Sequence, residues 1–520
     1  MKKSLLSLSL LALSFGYSEL QAQTTLDYVH KVSNDRTTGT ARFKAMGGVN
    51  TALGGDISSI NGNPAGLGFY GQSDVAVTVN YLNNTNKANY FNQSTSHTQG
   101  KFGLENVGVV LHFPSYNNGY GWQNLNLGVS YDRTDNFTDR IVYSGINAEN
   151  TLVQYLSDQM FSSSAFTNDF RNSNLVEIFT NPSDGYYPTA VEIGDKAQQV
   201  EFLTKGYKAK TTFSVGGNYN NKFYIGGSLG LVNFKYNRNF HILESGWTKT
   251  PNQIAEDNPN SEFADPPNPK YKYTDINYDL TDYQDNSLRG TGVNVGVGVI
   301  FKPTWDWNIG INIVTPTWTT VNEEEELETI ADYYKDENAT TSLHPTYRSK
   351  VSSSSFDYGV ISPMKASVGL TKFFSRGLLS ADIELVDYST IRYEETNVNN
   401  PDYQFEDDMN RYDIPETYKA AFNFRVGGEF LFTDYFTGRA GFSYFSSPYK
   451  NSNEGDYMSS IGLGYILTKN LYVDLAAVQY KSLTSYSSPY SLSGAWNSPA
   501  PEATIKNNRT NIVFTLGAKF

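Results

Sequence analysis

The chain has no cysteine among its 520 residues. It therefore has neither a disulfide framework nor a thiolate metal site. After the first two dozen residues there is no long apolar run, so no transmembrane helix is expected. Histidine is scarce. The five are His30, His97, His112, His241 and His344, and none stands at paired metal-ligand spacing. Basic residues are outnumbered, 40 Lys and Arg against 53 Asp and Glu. The net charge of −13 argues against nucleic acid, whose phosphates need a basic face. No hydrolase elbow or P-loop stands out, and spacing assembles no Ser, His and Asp set. The expectation is a non-enzyme with no cofactor and no metal.

What is abundant is aromatic and small: 38 Tyr, 31 Phe and 43 Gly. The N-terminus supplies the compartment. Lys2 and Lys3 precede LLSLSLLALSFG, and Gln21-Ala22 offers a small residue before Gln23. This is a basic region, a short apolar core and a cleavage point, the signature of a secretory signal peptide over 1–22. No Cys follows, so a lipidated N-terminus is not expected. In lipid only helices and closed barrels satisfy their backbone groups. An exported, aromatic-rich and Gly-rich chain without helical spans is a barrel or a soluble β-protein.

Alternation decides for the barrel. Fourteen strand-like segments are predicted over 73–81, 104–113, 123–133, 208–219, 222–240, 286–302, 305–320, 355–374, 377–394, 417–432, 434–446, 457–467, 471–484 and 509–520. Val293, Val295, Val297 and Val299 alternate with Asn294, Gly296 and Gly298, a period-two pattern. Trp307, Ile309, Ile311 and Ile313 alternate with Asn308, Gly310 and Asn312. Short links follow the even strands, and most links after odd strands are longer. Transmembrane barrels have short periplasmic turns and longer extracellular loops, a parity that a soluble sandwich has no reason to keep. Aromatics near strand ends, such as Tyr81, Phe113, Trp305, Trp318, Phe373 and Tyr435, suit interfacial girdles. The expected fold is an all-β transmembrane barrel over 73–520 with long extracellular loops.

The last strand, Thr510–Phe520, places Ile512, Phe514, Leu516, Ala518 and Phe520 on one face. An ending of this kind resembles bacterial outer-membrane β-barrels, where it is the assembly signal. That resemblance implies the bacterial outer membrane, contact with its lipid and lipopolysaccharide, and recognition by the barrel assembly machinery through Phe520. The inward faces carry mixed charge: Asp132, Asp382, Glu384, Lys419, Arg425, Glu429, Arg439, Asp474 and Lys519. Either these hold a plug by salt bridges or they line a selective path. Glu323 to Glu326, with Glu328, read as an acidic run in a long loop, solvated or holding a divalent cation.

Residues 23–72 precede the first strand and form a compact, turn-rich element. Its glycines permit backbone conformations that other residues resist, and Pro64 restricts Asn63. Such an element can fold inside the lumen, where an unfilled fourteen-stranded barrel would leave a water channel. Ala45-Met46-Gly47-Gly48, Ala52-Leu53-Gly54-Gly55-Asp56 and Asn63-Pro64-Ala65-Gly66-Leu67, set between a signal peptide and an aromatic barrel, resemble the FadL family. Its members are outer-membrane transporters of long-chain fatty acids and aromatic hydrocarbons. The resemblance implies an N-terminal hatch over 23–72, with Asn63, Pro64, Ala65 and Gly66 as its gating motif. It also implies a hydrophobic small-molecule ligand taken up by facilitated diffusion. The stretch NTLVQYLSDQMF puts Leu152, Val153, Leu156 and Met160 near one helical face, with Phe161 at its edge; Phe166 and Phe179 continue its apolar character. In the family such an insertion forms an apolar entrance groove; the alternative is a loop helix packing on its neighbours. Family members release ligand sideways near the third strand, where Gln123 to Arg133 shows no Pro or obvious bulge. A docking barrel of a secretion assembly and a non-selective porin are the other readings.

Overall fold

The computed structural model describes residues 26–115, 120–162, 170–178, 186–191, 194–396, 403–482, 485–490, 492 and 500–520. The expected signal peptide, Phe166 and Phe179 lie outside them. Fourteen antiparallel strands close into a barrel. They are β1 (Asp74–Tyr90), β2 (Gln93–Pro114), β3 (Trp122–Asn136), β4 (Lys196–Tyr219), β5 (Phe223–Trp247), β6 (Asn277–Thr304), β7 (Trp307–Val314 and Trp318–Tyr334), β8 (Ser352–Ile361 and Lys365–Phe374), β9 (Gly377–Asp387 and Arg392–Glu395), β10 (Ala420–Leu431), β11 (Phe436–Phe445), β12 (Asp456–Ile466), β13 (Leu471–Lys481) and β14 (Ala503–Lys519). The last strand closes on the first: Val75 faces Ala518, Val77 faces Leu516 and Val79 faces Phe514. Ser73 and Phe520 exchange two backbone hydrogen bonds, at 3.1 and 3.0 Å.

The alternation reads out as two faces. Val293, Val295, Val297, Ile309, Ile311, Ile313, Phe514 and Leu516 are exposed apolar side chains on the outside, as a lipid-facing band requires. Asn294, Asn308, Asn312, Asn511 and Thr515 are their buried neighbours. Trp122, Trp305, Phe374, Tyr435 and Phe520 are exposed at one rim, with Tyr81 and Trp318 at the other.

Two expectations about connections are corrected. The link after the first strand is a tight turn rather than a long loop. Phe91 and Asn92 both adopt positive φ, 41° and 62°, as a two-residue hairpin turn requires, and Tyr90 faces Gln93. Likewise Glu323 to Glu326 lie in β7, not in a loop. Glu323 points inward and accepts from the Tyr358 hydroxyl at 2.8 Å, while Glu324 and Glu326 are exposed. The reason is strand length. A bilayer crossing needs about ten residues, whereas β5 and β6 run 25 and 28 residues. Part of what reads as loop is wall standing above the membrane.

Two irregular places in the wall bear on the lumen. β7, β8 and β9 are each interrupted, at 315–317, at 362–364 and by a helical turn over Tyr388–Thr390. Pro316 and Pro363, which cannot donate to a ladder, sit in the first two interruptions. The second place is β3. Its register with β4 shifts between Asp132 and Asp135, and its ladder with β2 stops at Asn106–Asp132. The expectation of an unbroken third strand is therefore corrected. No Pro or Gly stands at 132–135 to signal the bulge.

Candidate functional site: the filled lumen

Residues 26–72 lie against the inward faces of the strands. Helix α1 (26–33) and helix α2 (Ala41–Ala45) are followed by tight turns. Thr40 caps α2 by accepting from the Phe43 N–H at 3.2 Å. Asn63 heads the next turn, Pro64–Phe69. Its Oδ1 accepts from Ala65 N–H at 3.0 Å, and Nδ2 donates to the Thr51 carbonyl at 2.6 Å. Asn63, Pro64, Ala65 and Gly66 are thus brought together as one buried, hydrogen-bonded turn.

What allows that turn to lie flat is the wall beneath it. Gly226 faces Gly298 across β5 and β6, and Gly216 faces Gly226 across β4 and β5. A Cβ at Gly298 would overlap the Asn63 carboxamide, and one at Gly226 would overlap the backbone of Pro64. Sequence reasoning missed these glycines as site residues, although the alternating Val-Gly pattern of β6 contained the signal. Polar side chains complete this side. Asn126 donates to the Leu67 carbonyl at 2.6 Å, and Asn308 donates to the Ala52 carbonyl at 3.1 Å.

Elsewhere charge is added to contact: Cβ atoms at Gly427 and Gly441 would overlap the backbone of Met46 and Gly47, and ion pairs surround that seat. Arg42 Nε reaches Glu429 at 2.9 Å, Arg439 reaches the same carboxylate at 2.7 Å, and Arg439 also pairs with Asp474. Lys44 pairs with Glu105. Burial disfavours charge on Lys44, but Glu105 beside it holds its pKa above the usual range. Asp35 sits between Lys208 at 2.7 Å and Lys365 at 2.9 Å. Burial would raise its pKa, and the two ammonium groups outweigh that and hold it well below the carboxylate range. Asp382 accepts the backbone N–H groups of Asn50 and Thr51 at 2.7 and 2.9 Å. Of the expected inward charges, Glu429, Arg439, Asp474 and Asp382 engage residues 26–72 directly or through one partner. Arg425 pairs with Glu384 at 2.8 Å. Lys419 and Lys519 lie apart from this assembly.

Above this layer α1 carries Leu26, Tyr28, Val29 and Val32 into an apolar cluster with Tyr236, Tyr358, Tyr393 and Ile414. Higher still, helix α3 (Leu152–Ser162) sits in a second apolar cluster. Leu152, Val153 and Leu156 are fully buried there with Phe170, Phe240 and Tyr333, and present no open groove. Met160 and Phe161 belong to α3, but their side chains lie outside the described part. Glu244 receives the helix N-terminus, accepting from Leu152 N–H at 2.7 Å and from Gln198 at 2.7 Å. Between the two clusters stands Arg238. Its guanidinium lies 5.3 and 5.1 Å from the Phe202 and Phe240 ring centroids and donates to Asn286 at 3.3 Å. No carboxylate among the described residues forms an ion pair with it.

The cavity lined by Arg42, Phe43, Met46, Val49, Asn50 and Leu53 measures ≈ 10 Å³, about the room of one water probe. No group of three or more metal-ligating side chains occurs among the described residues.

Neither a protein-family model nor a curated protein sequence matches the chain. Solved structures do. A FadL homologue from Pseudomonas aeruginosa superposes with a TM-score of 0.52 at 13% identity, over 94% of this chain and 100% of that one. The Pseudomonas putida toluene transporter TodX superposes with a TM-score of 0.52 at 14% identity, over 94% and 99%. This is a FadL-like barrel. The strand count and the closure are the features this FadL-like fold was expected to show. Its exposed apolar band and aromatic rims place the barrel in the bacterial outer membrane.

Proposed function

We propose that this FadL-like barrel takes up hydrophobic small molecules bearing a carboxylate, of the fatty-acid type, by facilitated diffusion. It is read as a channel and not an enzyme. The solved structures it resembles include a FadL homologue and a toluene transporter, and both names suit an apolar cargo. The observation that favours a carboxylate is Arg238, held between two apolar clusters. No carboxylate among the described residues stands at ion-pair distance from it, and Asp27 and Glu323 act on it only from further off. A chain of CH₂ groups would lie in those clusters, each contributing about 0.8 kcal/mol on burial, while the head group pairs with the guanidinium. Ligand would enter where α3 parts from its neighbours, exposing Leu152, Val153 and Leu156. Residues 23–72 would act as the hatch, with the Asn63 to Gly66 turn as its moving part.

The seam between β2 and the strand that continues β3, Asp139–Asn147, supplies the exit in this reading. There side chains stand in for a ladder: Lys101 donates to Thr138 at 2.6 Å and Thr95 donates to the Val142 carbonyl at 2.5 Å. Arg36 ties the N-terminal segment to the bulge, donating to the Thr134 carbonyl at 3.1 Å and pairing with Asp135 at 3.1 Å.

Native mass spectrometry of the purified barrel tests the proposal, with palmitate and toluene as added ligands. Palmitate is expected to be retained, and Arg238→Gln to weaken that retention at least tenfold while leaving toluene unchanged. A barrel that holds no lipid and shows a persistently open aqueous conductance would overturn the channel reading. Equal loss of both ligands in Arg238→Gln would overturn the carboxylate reading alone.

A further inference from the structure

The outer face of β4 to β8 carries a concave trough of ≈ 670 Å³ just above the apolar band. One register row crosses it. Tyr207 faces Lys235, Lys235 faces Arg289, Arg289 faces Asn322, and Asn322 faces Asp357. Lys235 and Arg289 are exposed and directly opposite each other. Like charges in that position repel, and no carboxylate among the described residues forms an ion pair with either. Arg133 adds a third cation. Its guanidinium lies 5.0 Å from the Tyr207 ring centroid, and its Nε is buried without a partner. Asp357, at the far end of the row, is engaged by Asn322 Nδ2 at 2.9 Å. A chain with a net charge of −13 thus gathers three uncompensated cations along one strip of wall.

Height identifies what such a strip would meet. Lys235 and Arg289 stand four residues above Leu231 and Val293, which are exposed and share a row with Trp318. At about 3.3 Å per residue and a tilt of about 40°, that is roughly 10 Å above the apolar edge. It is the level of the outer-leaflet headgroups. We propose that this trough binds the phosphorylated headgroup of an outer-leaflet lipid. A phosphate between Lys235 and Arg289 converts a repelling cross-strand pair into a bridged one, with charge-assisted hydrogen bonds from both. Arg133 adds a further donor, and the acyl chains descend along Leu231, Val293 and Trp318. The site is on the wall and independent of whatever crosses the lumen.

Native mass spectrometry of the full barrel in detergent tests it with four probes: diphosphoryl lipid A, its dephosphorylated form, phosphatidylcholine and inorganic phosphate. The unaltered barrel is expected to retain diphosphoryl lipid A at least tenfold more strongly than the dephosphorylated form or phosphatidylcholine. The double variant Lys235→Gln/Arg289→Gln is expected to lose that preference, while Lys302→Gln, at the opposite rim, keeps it. Equal retention of the two lipid A forms by the unaltered barrel overturns the proposal, whether or not the variants fold. Saturation by inorganic phosphate with no competition from lipid A overturns the lipid assignment in favour of a free-anion site.

Discussion

The N-terminal segment meets the barrel wall in two different ways on its two sides. Against β4 to β7 the Asn63 turn lies directly on strand backbone, over Gly226 and Gly298, and its polar groups are met by neutral Asn side chains. Against β10 to β13 the segment also lies on strand backbone, over Gly427 and Gly441, and ion pairs are added to that contact, with Glu429 shared between Arg42 and Arg439. Shape without charge holds the Asn63 turn, while the side of Met46 and Gly47 combines shape with charge. Contact over glycine is insensitive to salt and pH but admits no added atom. A buried ion cluster tolerates small shifts in position but not the loss of one member. A segment proposed to act as a movable hatch is better served by both than by either.

The charged side should give the largest response. Glu429→Gln leaves Arg42 buried without its carboxylate and Arg439 with Asp474 alone. Breaking a buried pair by removing one partner costs about 3–5 kcal/mol. The expected outcome is a lower unfolding temperature and protease access to residues 26–72. Adding Arg42→Gln should recover part of the loss, because it removes the stranded cation. A cost below about 1 kcal/mol for the single variant would show that charge does not hold this side. The glycine side should respond less in stability and more in conductance. Gly298→Ala places a methyl group into the Asn63 carboxamide, an overpacking worth about 1–3 kcal/mol. Displacement of the turn should raise single-channel conductance in planar bilayers. Unchanged conductance would mean that the turn is not part of the seal.

The same contrast explains what was legible in the sequence. The wall was readable because lipid imposes a strict period of two: Val293, Val295 and Val297 could face only outward. The Asn63 turn was readable because an Asn-Pro step constrains its own backbone. The surfaces that receive it were not, because Gly226 and Gly298 matter through the absence of a side chain, and only register places them under Pro64. Pairing partners such as Arg42 and Glu429 are 387 residues apart, so the inward charges could be named but not matched. The extracellular extensions were read as loops because Glu323 to Glu326 alternate buried and exposed without alternating in polarity.

Protonation offers a way to loosen a layer above both sides. The ring of His30 lies among Tyr388, Tyr418 and Tyr449, and its Nδ1 is buried without a partner. Burial, with Lys31 and Lys208 nearby, pushes its pKa down from 6.5 to about 4. A base whose folded pKa is depressed takes up its proton in the unfolded state first. Its contribution to stability is therefore complete above about pH 6.5 and declines as pH falls toward 4. At pH 5 the loss is about 1–2 kcal/mol after allowance for partial solvent access. Asp35 behaves differently: its folded pKa lies below the carboxylate range, so its contribution persists until pH falls below about 4. Hydrogen exchange over α1 should accelerate between pH 7 and pH 5, and His30→Gln should remove most of that dependence. An unchanged pH profile in His30→Gln would assign the effect elsewhere.

The smallest effect expected on stability is also the most telling for gating. Asn63→Ala removes the oxygen that caps the Pro64 turn and the amide that reaches the Thr51 carbonyl. Losing such a cap costs about 1 kcal/mol, too little to unfold a closed barrel. Gly226 and Gly298 are untouched, so the turn keeps its seat but loses its internal brace. If shape alone holds this side, conductance and palmitate uptake should both stay at the level of the unaltered barrel. If the hydrogen bonds of Asn63 set the balance between closed and open, uptake into liposomes should change severalfold, as about 1 kcal/mol shifts a two-state population by roughly fivefold. Asn63→Asp separates the two contributions. It retains an acceptor for Ala65 N–H while losing the donor to Thr51, so a response matching Asn63→Ala would assign the gate to the Thr51 contact.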